Sequence, residues 1–259
     1  MLNRIYKKLF CAQGAEFYCS VCQKQVRHFC PLPNFYKENM EKHGFLYALD
    51  DVETLNYRAY SCPHCGASDR DRLYALYVSK RLMEQRVTNI SMLEIAPSRS
   101  LSECLKRHGS IKLRTADLLM EGVDDRVDIT DMACYANGEF DAFICSHVLE
   151  HVPDDVKALR ELFRILKPDG WGILMVPIVR TLEQIDEDPL LEDIAERWRR
   201  FGQDDHLRMY SKNGLVERAE SAGFSVGQYG QEYFGADDFR KHGISDTSIL
   251  YVVEKNSDL

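Results

Sequence analysis

Two groups of residues in this 259-residue chain have types and spacing suited to chemistry. The first is a pair of Cys-x-x-Cys turns, Cys19-Ser20-Val21-Cys22 and Cys62-Pro63-His64-Cys65. Each turn can aim two thiolates at one ion, and four thiolates complete a tetrahedral zinc site. Pro63 stiffens the second turn, and Gly66 permits the backbone fold that points amides at sulfur. The 39 residues between Cys22 and Cys62 imply a zinc ribbon carrying an insertion, with His28 and Cys30 as reserve ligands. A redox dithiol would need a βαβ setting, which neither turn has. Structural zinc on Cys19, Cys22, Cys62 and Cys65 is therefore the expectation. Cys11, Cys104, Cys134 and Cys145 are left as free thiols of a reducing compartment.

The second group consists of polar residues that border short apolar runs: Glu94, Asp117, Asp128, Ser146 and His147. Beyond them lie His151 and the polar segment Gln203–Tyr210, which carries His206, Arg208 and Tyr210. Histidine is the side chain whose charge changes nearest neutral pH, so His147, His151 and His206 are the candidate bases. His147 and His151 are four apart and share a face if that segment is helical. The run HVLEH lacks the acid beside its first histidine that a zinc-protease HExxH carries. Asp205 is expected to raise the basicity of His206, and Arg208 suits a carboxylate or phosphate.

The elements that must position these residues alternate. Residues 69–86 place Leu73, Leu76, Tyr77, Val78 and Leu82 mainly on one helical face. Strands are expected at 90–95, 111–116, 123–129, 140–145 and 171–176. Helices are expected at 99–108, from 153 to the stop at Lys167–Gly170, near 190–200 and at 211–222. The chain then closes with strands near 224–229 and 248–254 and no evident helix between them. This order predicts an α/β fold, a mostly parallel sheet with helices on both faces and a terminal antiparallel hairpin at one edge. In such a sheet ligands bind beyond the carboxyl ends of the strands. Asp117 follows Glu94 by 23 residues, the placement of an acid that accepts ribose hydroxyls. The turn EIAPSRS has no GxG, which argues against a pyrophosphate and leaves a phosphate-free nucleoside cofactor.

Residues 92–224 resemble class I S-adenosylmethionine-dependent methyltransferases of the type 11 group. The matching pieces are LEIA (93–96), TADL (115–118), DITD (128–131), FDAFICSHVLEHVPDD (140–155), ELFRILKPDGWGILMVP (161–177) and SAGF (221–224). The Cys-x-x-Cys front end and the segment Gly202–Tyr210 resemble a bacterial subgroup associated with polysaccharide gene clusters. The resemblance implies a Rossmann-like fold with a seven-stranded, mostly parallel sheet. It implies that Glu94 and Ala96 line the methionine part of S-adenosylmethionine, Asp117 its ribose and Leu118 one adenine face. Asp128 and Ile129 would meet the adenine edge, and Ser146 and His147 the methyl end. Where the family is glycine-rich, this chain has Ala96 and Pro97, and Pro97 offers no N–H.

Charge divides the chain. Residues 1–86 carry 13 Lys/Arg against 9 Asp/Glu, while the whole chain has net charge −8. Two units are expected, a zinc-ribbon-like region over 1–66 and a methyltransferase domain over 67–259. The expected reaction is O-methylation of a small molecule or a glycan or nucleotide-sugar precursor, with His206, Arg208 and Tyr210 at the acceptor. No Asn/Asp-Pro-Pro-Tyr/Phe motif, the usual amine-binding tetrapeptide, follows Cys145. Two other readings stand beside it: an RNA methyltransferase gripping nucleic acid through the ribbon, and a non-catalytic scaffold. Against RNA, the basic residues are dispersed and no basic run is interleaved with aromatics. No apolar run reaches the roughly 20 residues of a spanning helix, and the basic first ten residues lack a signal peptide's apolar stretch. A cytoplasmic enzyme is expected. The segment 183–193 is a candidate lid and the aromatics of 23–61 a candidate cover for the site.

Overall fold

The structure is a computed structural model that describes residues 17–86 and 88–256. The first ten residues and Cys11 lie outside the described residues. In chain order, a hairpin of β1 (Phe17–Cys19) and β2 (Lys24–Val26) precedes helix α1 (Asn34–His43). Then come α2 (Asp69–Gln85), β3 (Ile90–Ile95), α3 (Arg99–Arg107), β4 (Ile111–Asp117), β5 (Asp125–Arg126) and β6 (Phe140–Ser146). The second half holds α4 (Asp155–Ile165), β7 (Leu166–Met175), β8 (Asp186–Glu187), α5 (Ile194–Phe201), β9 (Arg208–Met209) and α6 (Lys212–Ser221). It ends with β10 (Ser225–Tyr229), α7 (Gln231–Phe234), α8 (Ala236–Lys241) and β11 (Leu250–Glu254).

Seven strands form one sheet in the order β10-β11-β7-β6-β3-β4-β5. The pairs from β7 to β5 are parallel, and β11 lies antiparallel to both β7 and β10. The sheet is thus mostly parallel with an antiparallel edge, as the element order predicts. Its central strands, β3 and β6, are apolar because both faces are covered: Met92, Leu93, Ala142, Phe143 and Ile144 have almost no exposure. The sheet is built outward from β3, to β4 and β5 on one side and to β6 and β7 on the other. The switch point therefore falls between β3 and β6.

Local chemistry fixes the helices. Ser68 and Asp71 form a reciprocal capping box at the start of α2. Three expectations differ from the structure. The strand expected at 123–129 is two residues long, because Asp124 turns away to accept hydrogen bonds from the Thr115 amide and hydroxyl. Two short helices, α7 and α8, stand between the last two strands where none is expected; four and six residues are too few to show a helical period. The HVLEH run does not form an α-helix: His147 lies in the left-handed region and only Leu149–His151 makes a 3₁₀ turn.

The N-terminal segment is stitched to the sheet's helices and loops. The β1–β2 hairpin carries Cys19 and Cys22, and the turn before α2 carries Cys62 and Cys65. Between them, α1 lies against α5, and residues 51–53 pair with the stretch after β7. There Glu53 N donates to Ile178 O and Arg180 N to Asp51 O, each at 2.9 Å. One buried arginine ties this together. Arg72, with no exposed surface, directs all five donors at backbone carbonyls: His242 at 2.7 Å, Tyr60 and Ala67 at 3.0 Å, Ala59 at 2.6 Å and Gly243 at 3.1 Å. Its guanidinium lies 3.7 Å above the Phe29 ring. Among the described residues, no helix is long and apolar enough to cross a membrane.

Replacing Arg72 with Met keeps most of the volume but strands those carbonyls. We expect a loss of about 3–5 kcal/mol of folding free energy, read from the urea midpoint. A loss under about 1 kcal/mol would show that the carbonyls find other partners.

Candidate active site at the carboxyl ends of the strands

Two residues flank the switch point in the same unusual backbone state. Ala96 (φ 49°) follows β3 and His147 (φ 57°) follows β6. Each is held by the neighbouring strand, Ala96 N on Ala116 O at 2.9 Å and His147 N on Met175 O at 2.8 Å. The strands thus stay paired to their last residue and then turn sharply aside. For a residue with a Cβ this conformation costs about 1–2 kcal/mol, and such strain concentrates at functional sites.

The space they open is a cavity of about 780 Å³. Its walls include Ala96, Asp117, Leu118, Asp128, Ile129 and His147. Asp117 uses one carboxylate oxygen to accept from the amides of Leu119 (2.7 Å) and Met120 (2.6 Å). Asp128 uses one to accept from the amide and hydroxyl of Thr130, both at 2.8 Å. Among the described residues the other oxygen of each makes no hydrogen bond. The cavity therefore offers two fixed carboxylates among apolar walls, acceptors that fit the hydroxyls and amine of an adenosine. The Ala96 turn accommodates the missing glycine by adopting the left-handed state, and Pro97 removes one amide from the turn.

Glu94 and Ser146 face a smaller space of about 160 Å³, together with Arg70, Tyr74 and His147. Glu94 is 1% exposed and accepts from Ser102 Oγ (2.6 Å) and Ser98 N (3.1 Å), so it anchors the turn after β3. Burial pushes its carboxyl up to about 7 against the partial offset of those hydrogen bonds. Ser146 Oγ shares a 2.8 Å hydrogen bond with the Tyr74 hydroxyl.

A third cavity, of about 260 Å³, lies under the N-terminal segment. Its walls are largely apolar, with Tyr36, Met40 and Phe45 from α1 and the following loop, and Ile178, Phe201 and Met209 opposite. Its polar side is Arg70, His147, Glu150, His151 and His206. His147 borders all three cavities. Its Nδ1 lies 2.9 Å from Glu150 Oε1, and Arg70 donates to its Nε2. Burial and the facing guanidinium push His147 down to about 4, so the ring is neutral and carries its proton on Nδ1. Burial alone would raise Glu150, but His147, His206 and His151 more than offset it and keep the carboxyl ionised. His206 is 2% exposed; its Nδ1 donates to Phe201 O at 3.0 Å, which leaves Nε2 without a partner. Neither oxygen of Glu150 has a well-aligned hydrogen bond.

Asp205 pairs with His151 (Nδ1 to Oδ2, 3.2 Å) rather than sharing a hydrogen bond with His206, because the chain turns between 205 and 206. Arg208 and Tyr210 point into the protein. Arg208, 1% exposed, donates to the carbonyls of Leu149, Val152 and Pro153 and pairs with Glu187; the Tyr210 hydroxyl donates to Asp155. Both clamp the loop that carries Glu150 and His151. The 183–193 stretch is pinned, since β8 pairs with β9 and Asp186 and Glu187 bind Arg200, Arg208 and Arg218. Sequence reasoning does not find Arg70, Tyr74 or Glu150, whereas Tyr36 and Phe45 belong to the 23–61 aromatics expected to cover the site. Of the three missed, Glu150 alone carries a local signal, an acid set between two histidines in an apolar run.

A family model described as "Methyltransferase domain" matches residues 71–229. A ubiquinone biosynthesis O-methyltransferase of Xanthomonas oryzae pv. oryzae is 27% identical over 148 residues, 57% of this chain and 58% of that protein. A protein of the same name from Chromobacterium violaceum is 40% identical over 65 residues, 24% of this chain and 28% of that one. The chain thus spans under three fifths of these relatives' length. Among solved structures, the Burkholderia thailandensis 1,6-didemethyltoxoflavin-N1-methyltransferase with bound S-adenosylhomocysteine is 13% identical. It gives a TM-score of 0.45, covering 70% of this chain and 77% of its own. A SAM-dependent methyltransferase from Archaeoglobus fulgidus is 12% identical with a TM-score of 0.45, over 73% and 95%.

The raised Glu94 carboxyl makes a pH prediction. A buried acid that holds its proton to about 7 stabilises the fold fully below its ordinary value of 4.5. That contribution is lost as pH rises through about 7. Over this window the loss is on the order of 3 kcal/mol. Glu94→Gln should flatten the stability–pH curve between pH 4.5 and 7, and an unchanged slope would remove Glu94 as its source.

Proposed function

The chain belongs to the methyltransferase-domain family, class I and S-adenosylmethionine-dependent, and from that premise we propose that it methylates a hydroxyl of a small acceptor with an apolar body. The observation that carries this reading is the position of His147, one side chain walling both the large cavity and the apolar one. In this reading Asp117 and Asp128 hold the cofactor's adenosine, Leu118 and Ile129 flank its base, and Ala96, Ser146 and His147 border its methionine end. The bound cofactor supplies an activated sulfonium methyl. The chain's own work is to place the acceptor's oxygen in line with that methyl and to shed its proton. Tyr36, Met40, Phe45 and Met209 take the apolar body and exclude water. The hydroxyl meets Glu150, His151 and His206, the groups that make it nucleophilic. Arg70 already occupies Nε2 of His147, so His147 orients and separates rather than taking the proton. The relatives named for O-methylation support oxygen as the target. A cavity of this size and lining suits one small ring better than a glycan.

The test is transfer of labelled methyl from S-adenosylmethionine to a panel of phenols and small hydroxylated aromatics. Asp117→Ala should weaken cofactor binding at least tenfold by calorimetry. His206→Ala should lower kcat by about 10²–10⁴ with cofactor affinity kept. Cofactor binding untouched by Asp117→Ala would overturn the cofactor assignment.

We also propose that Cys19, Cys22, Cys62 and Cys65 hold structural zinc. Cys19 Sγ lies 3.8 Å from Cys65 Sγ and Cys22 Sγ lies 3.9 Å from Cys62 Sγ. A tetrahedron with Zn–S bonds of about 2.3 Å has edges of about 3.8 Å, so the four sulfurs fit the ion. Cys30 stands outside this group. The site fastens the hairpin to the turn before α2 and so holds Ser68 and Arg70 in place. Metal analysis should find one zinc per chain that a weak chelator does not remove. Cys62→Ser should lose it and lower the melting temperature, and a full complement of zinc in that variant would refute the site.

A further inference from the structure

Resting on the reading of the apolar cavity as the acceptor's, we propose that Glu150, His151 and His206 form a site for a divalent first-row transition-metal ion that faces the acceptor. One donor atom from each of the three lies within 4.8 Å of the others. Two histidines and a carboxylate leave coordination positions open, and this donor set suits zinc, iron, manganese or cobalt.

Glu150 has no exposed surface, yet neither of its oxygens is hydrogen-bonded with good alignment. His206 Nε2 is likewise buried without a partner. Unmet buried polar atoms are costly, and the oxygens of Glu150 and His206 Nε2 are atoms that one ion between them would satisfy. The outer partners are those that ligating histidines require. Phe201 O accepts from His206 Nδ1 at 3.0 Å, and Asp205 faces His151 Nδ1 at 3.2 Å, so each ring is fixed with Nε2 as its bare nitrogen. The His147 Nδ1–H beside Glu150 Oε1 orients the carboxylate in the same way. Backbone geometry supports the cluster too: Leu207 N donates to Glu150 O at 2.8 Å, and Arg208 pins the carbonyls of residues 149, 152 and 153. An ion here would bind the acceptor through its oxygen and lower the hydroxyl's pKa. The methyl then passes from sulfur to oxygen, and the hydroxyl proton leaves to solvent.

The test uses full-length protein with its cysteine site zinc-loaded, washed with a weak chelator and titrated with Co²⁺. One further equivalent should bind, with weak visible d–d absorption and without the intense near-ultraviolet thiolate band of cobalt on cysteine. Glu150→Gln and His206→Ala should each abolish that equivalent, while the thiolate-held zinc stays. Asp205→Asn should weaken it at least tenfold, a loss a merely structural Asp205 would not cause. No second equivalent in the folded, zinc-loaded protein, or a second equivalent unchanged in both ligand variants, overturns the site. Uptake is read optically, so the result is independent of methyl transfer. Transfer by protein whose second site stays empty would also overturn the ion and leave the methyltransferase reading standing, with His206 as the direct base.

Discussion

A carboxylate with no exposed surface must be answered by positive charge or hydrogen bonds, and Glu150 imposes that demand on everything around it. The responses come from distant parts of the chain. His147 comes from the end of β6 and His151 from the next turn. His206 is brought by the 201–209 segment, and Arg70 reaches His147 from the first turn of α2. Each answering group is itself fixed: His206 by Phe201, His151 by Asp205, His147 by Arg70 and by the Met175 carbonyl. The cluster is therefore preorganised, and preorganised polar groups in a water-poor space are what lower barriers in group transfer.

The sheet determines where that cluster can stand. Reversal of strand order between β3 and β6 leaves a crevice at their carboxyl ends, and the left-handed turns at Ala96 and His147 steer both chains out of it. Asp117 and Asp128 then stand on one side and Glu150 with its histidines on the other. The N-terminal segment closes the second side. It is held there by Arg72, the cysteine turns and residues 51–53 pairing with 178–180, so the apolar cavity is built across the junction of the two sequence regions.

What is legible in the sequence is what is local. The strands and helices show their periods, and polar residues bordering apolar runs mark the ligand end of a parallel sheet whatever the ligand is. The two cysteine turns announce each other because each is a complete local motif. What is not legible depends on contacts across long sequence distances. Arg70 reads as an ordinary first-turn residue until the fold sets it beside His147, 77 positions away. Tyr36 and Phe45 read only as a general cover for the site until α1 laid against α5 sets them at one cavity. Arg208 and Tyr210 look like surface recognition residues because arginine and tyrosine in a polar stretch usually are. Only the tertiary fold reveals that the carbonyls of 149–153 and the Asp155 carboxylate need them.

The burial of Arg208 resolves how a polar segment such as Gln203–Tyr210 can serve the site without its arginine touching a ligand. A guanidinium with five fixed donors suits a turn whose carbonyls converge, and here it holds the backbone on either side of His151. Lysine, with a single ammonium point, cannot meet three carbonyls and Glu187 at once. The neighbouring His206 is then left facing inward with its outer nitrogen spoken for. The segment leaves His206 Nε2 buried without a partner and fixes the loop opposite it, so its polar character records the loop it must satisfy.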